Sequence, residues 1–152
     1  MSEPNSPTPV STGDYMKYSI LIVDDEPQVV GEIEDVLKSE HFSVVTALSG
    51  EEGLEILKKV PAKLVISDQI MKPGMSGTEF LTKVKDKYPN VVTMILSAFA
   101  ETSYVMDALN QAGAYQYLIK PWNKSELIHR ITQALQFYHS ESERRRLAEA
   151  NQ

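Results

Sequence analysis

The feature that most constrains this chain is an alternation between two hydrophobic periods. Short apolar runs at Tyr18–Val23, Ser43–Ala47, Lys63–Asp68, Val91–Leu96 and Tyr115–Ile119 have the length and residue types of strands. Between them the apolar residues recur at helical spacing. Pro27 suits the first turn of a helix whose stripe is Val29, Val30, Ile33 and Leu37. Ser49 with Glu52 forms a capping box for a second helix through Lys59, with Leu54 and Leu57 turned inward. Ser76 with Glu79 forms another, for a third helix with Phe80, Leu81 and Val84 on one side. A fourth helix is expected from about Thr102 to Ala112, ended by Gly113, and Asn123 with Glu126 starts a fifth through Leu127, Ile128, Ile131 and Leu135. Strands that alternate with helices over short connections form a parallel α/β sheet covered on both faces. Right-handed crossovers then make it a doubly wound sandwich.

Two of these strands end in carboxylates. Asp24 and Asp25 follow Ile20-Leu21-Ile22-Val23, and Asp68 follows Leu64-Val65-Ile66-Ser67. The carboxyl ends of parallel strands are where open α/β sheets place their ligand chemistry. If both strands are central and adjacent, three acids converge on one small volume. Such anions repel by several kcal/mol in a partly desolvated site, and a bound cation is the simple remedy. No His or Cys accompanies them, so zinc does not fit. Hard oxygen donors suit Mg²⁺, which also favours phosphate chemistry. The turn Asp24-Asp25-Glu26-Pro27 carries no Gly-rich loop and would repel a nucleotide phosphate, which counts against a dinucleotide or flavin binder. Ser97 closes the fourth strand and Lys120 the fifth, so a hydroxyl and an ammonium reach the same edge as the acids. Singly, such residues serve as a helix cap or a surface lysine; together with three carboxylates they make a site for a trigonal anionic group.

The totals exclude other classes. A chain of 152 residues with 42% apolar content supports one ordinary domain. A net charge of −6 offers no broad basic face for a nucleic-acid backbone, so direct nucleic-acid binding by this chain is not expected. There is no Cys, no apolar run long enough for a membrane span and no signal-peptide pattern at Met1-Ser2-Glu3-Pro4, which together read as a cytoplasmic protein. Residues 1–16, rich in Pro and Ser, read as a flexible tail. The domain is expected over 17–139, with 140–152 a polar helical extension or linker whose Arg144–Arg146 run is a solvated face balanced by Glu141, Glu143 and Glu149.

With these residues in place, the chain from about Tyr18 to Phe137 resembles a response-regulator receiver domain of two-component signalling. The resemblance rests on Asp24-Asp25, Asp68 in Ile-Ser-Asp, Pro73-Gly74-Met75-Ser76-Gly77, Ser97-Ala98, Tyr117 and Lys120-Pro121. Lys120-Pro121-Trp122 is similar to receivers joined to enhancer-dependent regulators or cyclic-di-GMP phosphodiesterases. The resemblance implies a flavodoxin-like (βα)5 fold with strand order 2-1-3-4-5. It implies that Asp68 accepts a phosphoryl group from a histidine kinase or phosphotransfer protein. Mg²⁺ would be bound by Asp25, Asp68 and the backbone carbonyl of Ile70, with Asp24 partly through water. Lys120 and Ser97 would each hold a phosphoryl oxygen. Ser97 and Tyr117 would form the switch, changing the face of the fourth helix, fifth strand and last helix, through which a homodimer could form. The chain would catalyse only its own phosphorylation and dephosphorylation, with an output domain beyond the C-terminus as a candidate partner.

One departure is Lys72, which makes the loop Met71-Lys72-Pro73 one residue longer than in such receivers. In the receivers it resembles, the positions two residues past Asp68 and Ser97 flank the approach of water; here they are Ile70 and Phe99, apolar side chains that cannot orient water by hydrogen bonding, so slow self-hydrolysis is expected. Two other readings stay open at this level. One is a receiver-like interaction module not regulated by phosphorylation. The other is an aspartyl-intermediate phosphohydrolase, which Asp68-Gln69-Ile70 disfavours for want of a second acid two residues on.

Overall fold

The computed structural model describes residues 19–71, 73–98, 106 and 109–150. The expected tail, Lys72, Phe99 and most of the expected fourth helix therefore lie outside the described residues. Chain order is β1 (Ser19–Val23), α1 (Pro27–Ser39), β2 (Ser43–Ala47), α2 (Gly50–Leu57), β3 (Ala62–Asp68), α3 (Gly77–Lys87), β4 (Val92–Ala98), β5 (Gln116–Lys120) and α4 (Lys124–Ala150). The five strands form one sheet in the order β2-β1-β3-β4-β5, every pairing parallel. This is the doubly wound order expected of the chain.

Strand parity divides the core into two layers. Ile20, Ile22, Leu64, Ile66, Met94, Leu96 and Leu118 pack with Ile33 and Leu37 of α1 and with Leu127, Ile131 and Leu135 of α4. Leu21, Val23, Val65 and Ile95 pack on the other face with Leu57 of α2 and Phe80, Leu81 and Val84 of α3. A central strand buried on both faces must be apolar at every position, which is why β1 and β3 read as continuous apolar runs.

The helix ends follow local chemistry. Ser49 and Ser76 accept hydrogen bonds from the amides of Glu52 (3.0 Å) and Glu79 (3.1 Å), and Asn123 Oδ1 accepts from Glu126 N at 2.7 Å, so all three expected caps form. Helix α2 ends at Leu57 rather than Lys59, because its last turn tightens to Lys58 N→Glu55 O and Lys59 N→Ile56 O bonds. At the end of α1, Phe42 N donates to Leu37 O and His41 N to Lys38 O, with His41 at φ 68. That pairing closes the last carbonyls although no glycine stands there. Gly113, the expected stop of the fourth helix, has φ +69.

Two strands run further than their apolar runs. β4 continues to Ala98, pairing Ser97 with Ile119, and β5 includes Lys120, paired with Ala98. Side-chain polarity ends the hydrophobic signal, but the backbone ladder needs only N–H and C=O groups and carries on.

Candidate functional site

The register brings the site together. Val23 pairs with Ser67, so Asp24 lies level with Asp68, and Asp24 N donates to Ala47 O at 3.2 Å, holding it at the rim. Asp68 pairs with Leu96, and Ser97 is the next residue on β4. Lys120 arrives from β5, with β4 between it and β3, so its long side chain crosses the end of β4. Its Nζ stands 2.8 Å from Asp68 Oδ1 and 3.3 Å from Asp24 Oδ2.

One carboxylate oxygen from each of Asp24, Asp25 and Asp68 lies within 4.8 Å of the others. Asp24 is fully buried and Asp68 only 5% exposed. At that spacing each pair of anions repels by about 3 kcal/mol at an effective dielectric of about 20, which one ammonium offsets only in part. Burial pushes the Asp24 carboxyl above the usual carboxylate range, although the Glu26 amide, which donates to Asp24 Oδ1 at 3.0 Å, and the Lys120 ammonium work against it. Burial pulls the Lys120 ammonium down, but the hydrogen bonds and charges of Asp68 and Asp24 outweigh this and hold it above its ordinary value. The donor set is three hard carboxylates with no nitrogen or sulfur, and it fits Mg²⁺.

The remaining expected residues take distinct places. Ser97 is fully buried, and its hydroxyl donates to Ala98 O at 3.2 Å. Ile70 sits in the loop after Asp68 with a 37% exposed side chain. Tyr117 is 39% exposed, facing outward from β5, where it pairs in register with Ile95.

Sequence reasoning missed what braces Asp68 from behind. Gln69 is buried; its amide donates to Leu96 O at 3.0 Å and its carbonyl accepts from Gly77 N at 2.8 Å. Thr78 Oγ1 donates to Gln69 Oε1 at 2.9 Å. A Cβ on Gly77 would stand 2.2 Å from the carbonyl oxygen of Asp68, so α3 begins in direct contact with the strand end. Gly77 was legible as a turn residue. The Gln69–Thr78 pair was not, because a polar residue on each side of a loop carries no periodic signal. The Lys120–Pro121 peptide bond is cis.

A doubly wound parallel sheet with an acidic cluster at its carboxyl rim, met by a lysine from the edge strand, defines a CheY-like domain. Residues 20–132 match the family model of the response regulator receiver domain. The chain belongs to that family. Over 118 residues it is 34% identical to the hydrogenase transcriptional regulatory protein HoxA of Cupriavidus necator, covering 78% of this chain and 24% of that protein. Over 117 residues it is 35% identical to a cyclic di-GMP phosphodiesterase of Thermotoga maritima, covering 77% of this chain and 31% of that protein. The solved structure of a CheY-like receiver domain protein from Methanospirillum hungatei matches with a TM-score of 0.76 at 30% identity, covering 82% of this chain and 98% of that one. The chain thus spans about a quarter of the length of the hydrogenase regulators it matches. Among the described residues no helix is long and apolar enough to cross a membrane.

Proposed function

We propose that this chain is a phosphorylatable switch whose acceptor is Asp68. The single observation that carries the reading is the meeting of Asp24, Asp25, Asp68 and Lys120 at one rim, with Lys120 Nζ 2.8 Å from an Asp68 oxygen. A carboxylate oxygen of Asp68 attacks the phosphorus of a phosphohistidine on a histidine kinase or phosphotransfer protein. The P–N bond breaks, its electron pair stays on the donor imidazole, and Asp68 becomes an acyl phosphate. Such transfer demands positioning and charge neutralisation more than covalent chemistry. Lys120 holds one phosphoryl oxygen and the Ser97 hydroxyl another. Asp25, Asp68, the Ile70 carbonyl and, partly through water, Asp24 would hold Mg²⁺, which neutralises charge on the phosphoryl oxygens when bound.

Signalling follows as a population shift. When Ser97 turns toward the phosphoryl group, it leaves space into which the outward-facing Tyr117 rotates, and the surface made by β5, α4 and the helix expected before β5 changes. That surface is the candidate homodimer face. The domain spans 17–139. The continuous helix Lys124–Ala150 carries its state into the 140–152 extension, toward an output domain of the kind the longer relatives leave room for. The Lys120-Pro121-Trp122 sequence supports an output like those of enhancer-dependent regulators or cyclic-di-GMP phosphodiesterases. The setting is the cytoplasm, and the chain turns over no substrate beyond its own phosphoryl group.

The test is incubation with acetyl phosphate and Mg²⁺, read by intact mass. One added phosphoryl group in the wild type and none in Asp68→Asn is the expected result. No uptake by the wild type would instead make the domain an interaction module that phosphorylation does not regulate.

A further inference from the structure

We infer that Gln69 and Thr78 are a positioning pair that fixes the loop beyond the phosphoacceptor before the cation arrives; the inference rests on the metal reading proposed above. Asp68 is held by the sheet, whereas Ile70, the other ligand on this strand, sits where the sheet has ended. The loop leaves the sheet at Gln69 and meets α3 at Gly77; one hydrogen bond holds Gln69 to β4 and two join it to the start of α3. Two use the Gln69 backbone, to Leu96 O (3.0 Å) and from Gly77 N (2.8 Å). The third joins the side chains, Thr78 Oγ1 to Gln69 Oε1 at 2.9 Å.

Among the described residues, the backbone bonds anchor Gln69 and join it to the start of α3 at one point, Gly77. The side-chain bond adds a second tie one residue further on, and two points fix an orientation where one does not. Gln69 is 3% exposed, so its amide oxygen needs a partner inside the protein, and the Thr78 hydroxyl supplies one. The contact between Gly77 and the Asp68 carbonyl leaves no slack on the other side. A carbonyl ligand ordered in advance binds a cation more tightly than one that must be ordered on binding.

Thr78→Val keeps the shape and removes the donor, and Thr78→Ser keeps the donor. Mg²⁺ is titrated into metal-free protein and followed by fluorescence of Trp122, the sole tryptophan, two residues past Lys120 and packed on the core. Thr78→Val is expected to raise the Mg²⁺ Kd about 3- to 10-fold, the worth of one hydrogen bond, with Thr78→Ser within about twofold of the wild type. Gln69→Met, which removes the acceptor instead, should match Thr78→Val, and the double variant should bind no more weakly than either. In metal-free Thr78→Val the Ile70 amide should exchange faster while the α1 amides do not change. A wild-type Kd in Thr78→Val, a Thr78→Ser as weak as Thr78→Val, or additive losses in the double variant overturns the pairing. A wild-type protein that binds no Mg²⁺ instead overturns the metal reading, and the inference with it.

Discussion

β3 and β5 deliver residues to the same site under opposite conditions. β3 lies between β1 and β4, and its residues from Leu64 through Asp68 are all buried. β5 is one of the two sheet edges, and of its residues only Leu118 is buried, while Tyr117 stands outward. The acid comes from a buried strand, and the amine and the proposed switch aromatic come from a more exposed one. A site that is proposed both to hold a phosphoryl group and to report its presence is served by this inequality. On the proposed function, the buried side would set the geometry and the exposed side would be the one free to rearrange.

The largest expected effect tests the buried side. In Gly77→Ala the new methyl would meet the Asp68 carbonyl oxygen at 2.2 Å and the Gln69 Cα at 2.9 Å, both backbone atoms that cannot rotate aside. The first turn of α3 has to lift off β3, and urea unfolding should show a loss of about 3 kcal/mol, at the upper end for overpacking. A loss under about 1 kcal/mol would mean that the rim yields, and the contrast with β5 would disappear.

Next comes Lys120→Met, on the more exposed side. The methionine fills the same path across the end of β4 but leaves two buried carboxylates without their ammonium. Phosphoryl uptake from acetyl phosphate should slow by about 100-fold, the usual effect of removing one aimed electrostatic group. A change below tenfold would remove Lys120 from the transfer step.

Asp24→Asn sharpens the contrast by a smaller amount. An asparagine oxygen still accepts the Glu26 amide, while one of three crowded charges is gone. The metal-free protein should gain stability, because burial disfavours the Asp24 carboxylate, and lose Mg²⁺ affinity. The sign can be checked against pH. The folded-state pKa of Asp24 lies above its ordinary 3.8, so between the two values the folded protein keeps a proton that the unfolded chain has released. In the wild type this group therefore favours folding below 3.8 and loses that contribution as pH rises through the folded value. Urea midpoints of wild type and variant should diverge across that window. Parallel curves would show that burial does not strain Asp24.

What the sequence displayed of all this depended on the length scale of the cause. Strand order, the two-layer core and the acid-bearing strand ends follow from hydrophobic period and from where each run stops, and both are local. Lys120 was legible because a lysine that ends an apolar strand is out of place locally. Gln69, Thr78 and the continuation of the β4 ladder through Ala98 were not. Their roles arise from what lies across a loop or across the ladder, and a polar side chain beside a glycine looks the same whether it faces water or a buried amide. The boundary residues Lys58 and Lys59 show the same limit from the other side, since helix-favouring residues there adopt tighter turns dictated by the chain's path into β3.

The smallest expected effect is also the sharpest test of the comparison. Tyr117 is 39% exposed, so Tyr117→Ala should change unfolding free energy by no more than about 0.5 kcal/mol, as for surface positions generally. The rate of phosphoryl uptake should not change either, since Tyr117 is an exposed side chain of the edge strand β5. What should change is the response. Amide exchange in β5 and the first turns of α4, compared before and after phosphorylation, should differ in the wild type and differ less in the variant. Loss of more than about 1.5 kcal/mol would place Tyr117 in the core already. β5 would then be as buried as β3, and the site would have no exposed side from which to signal.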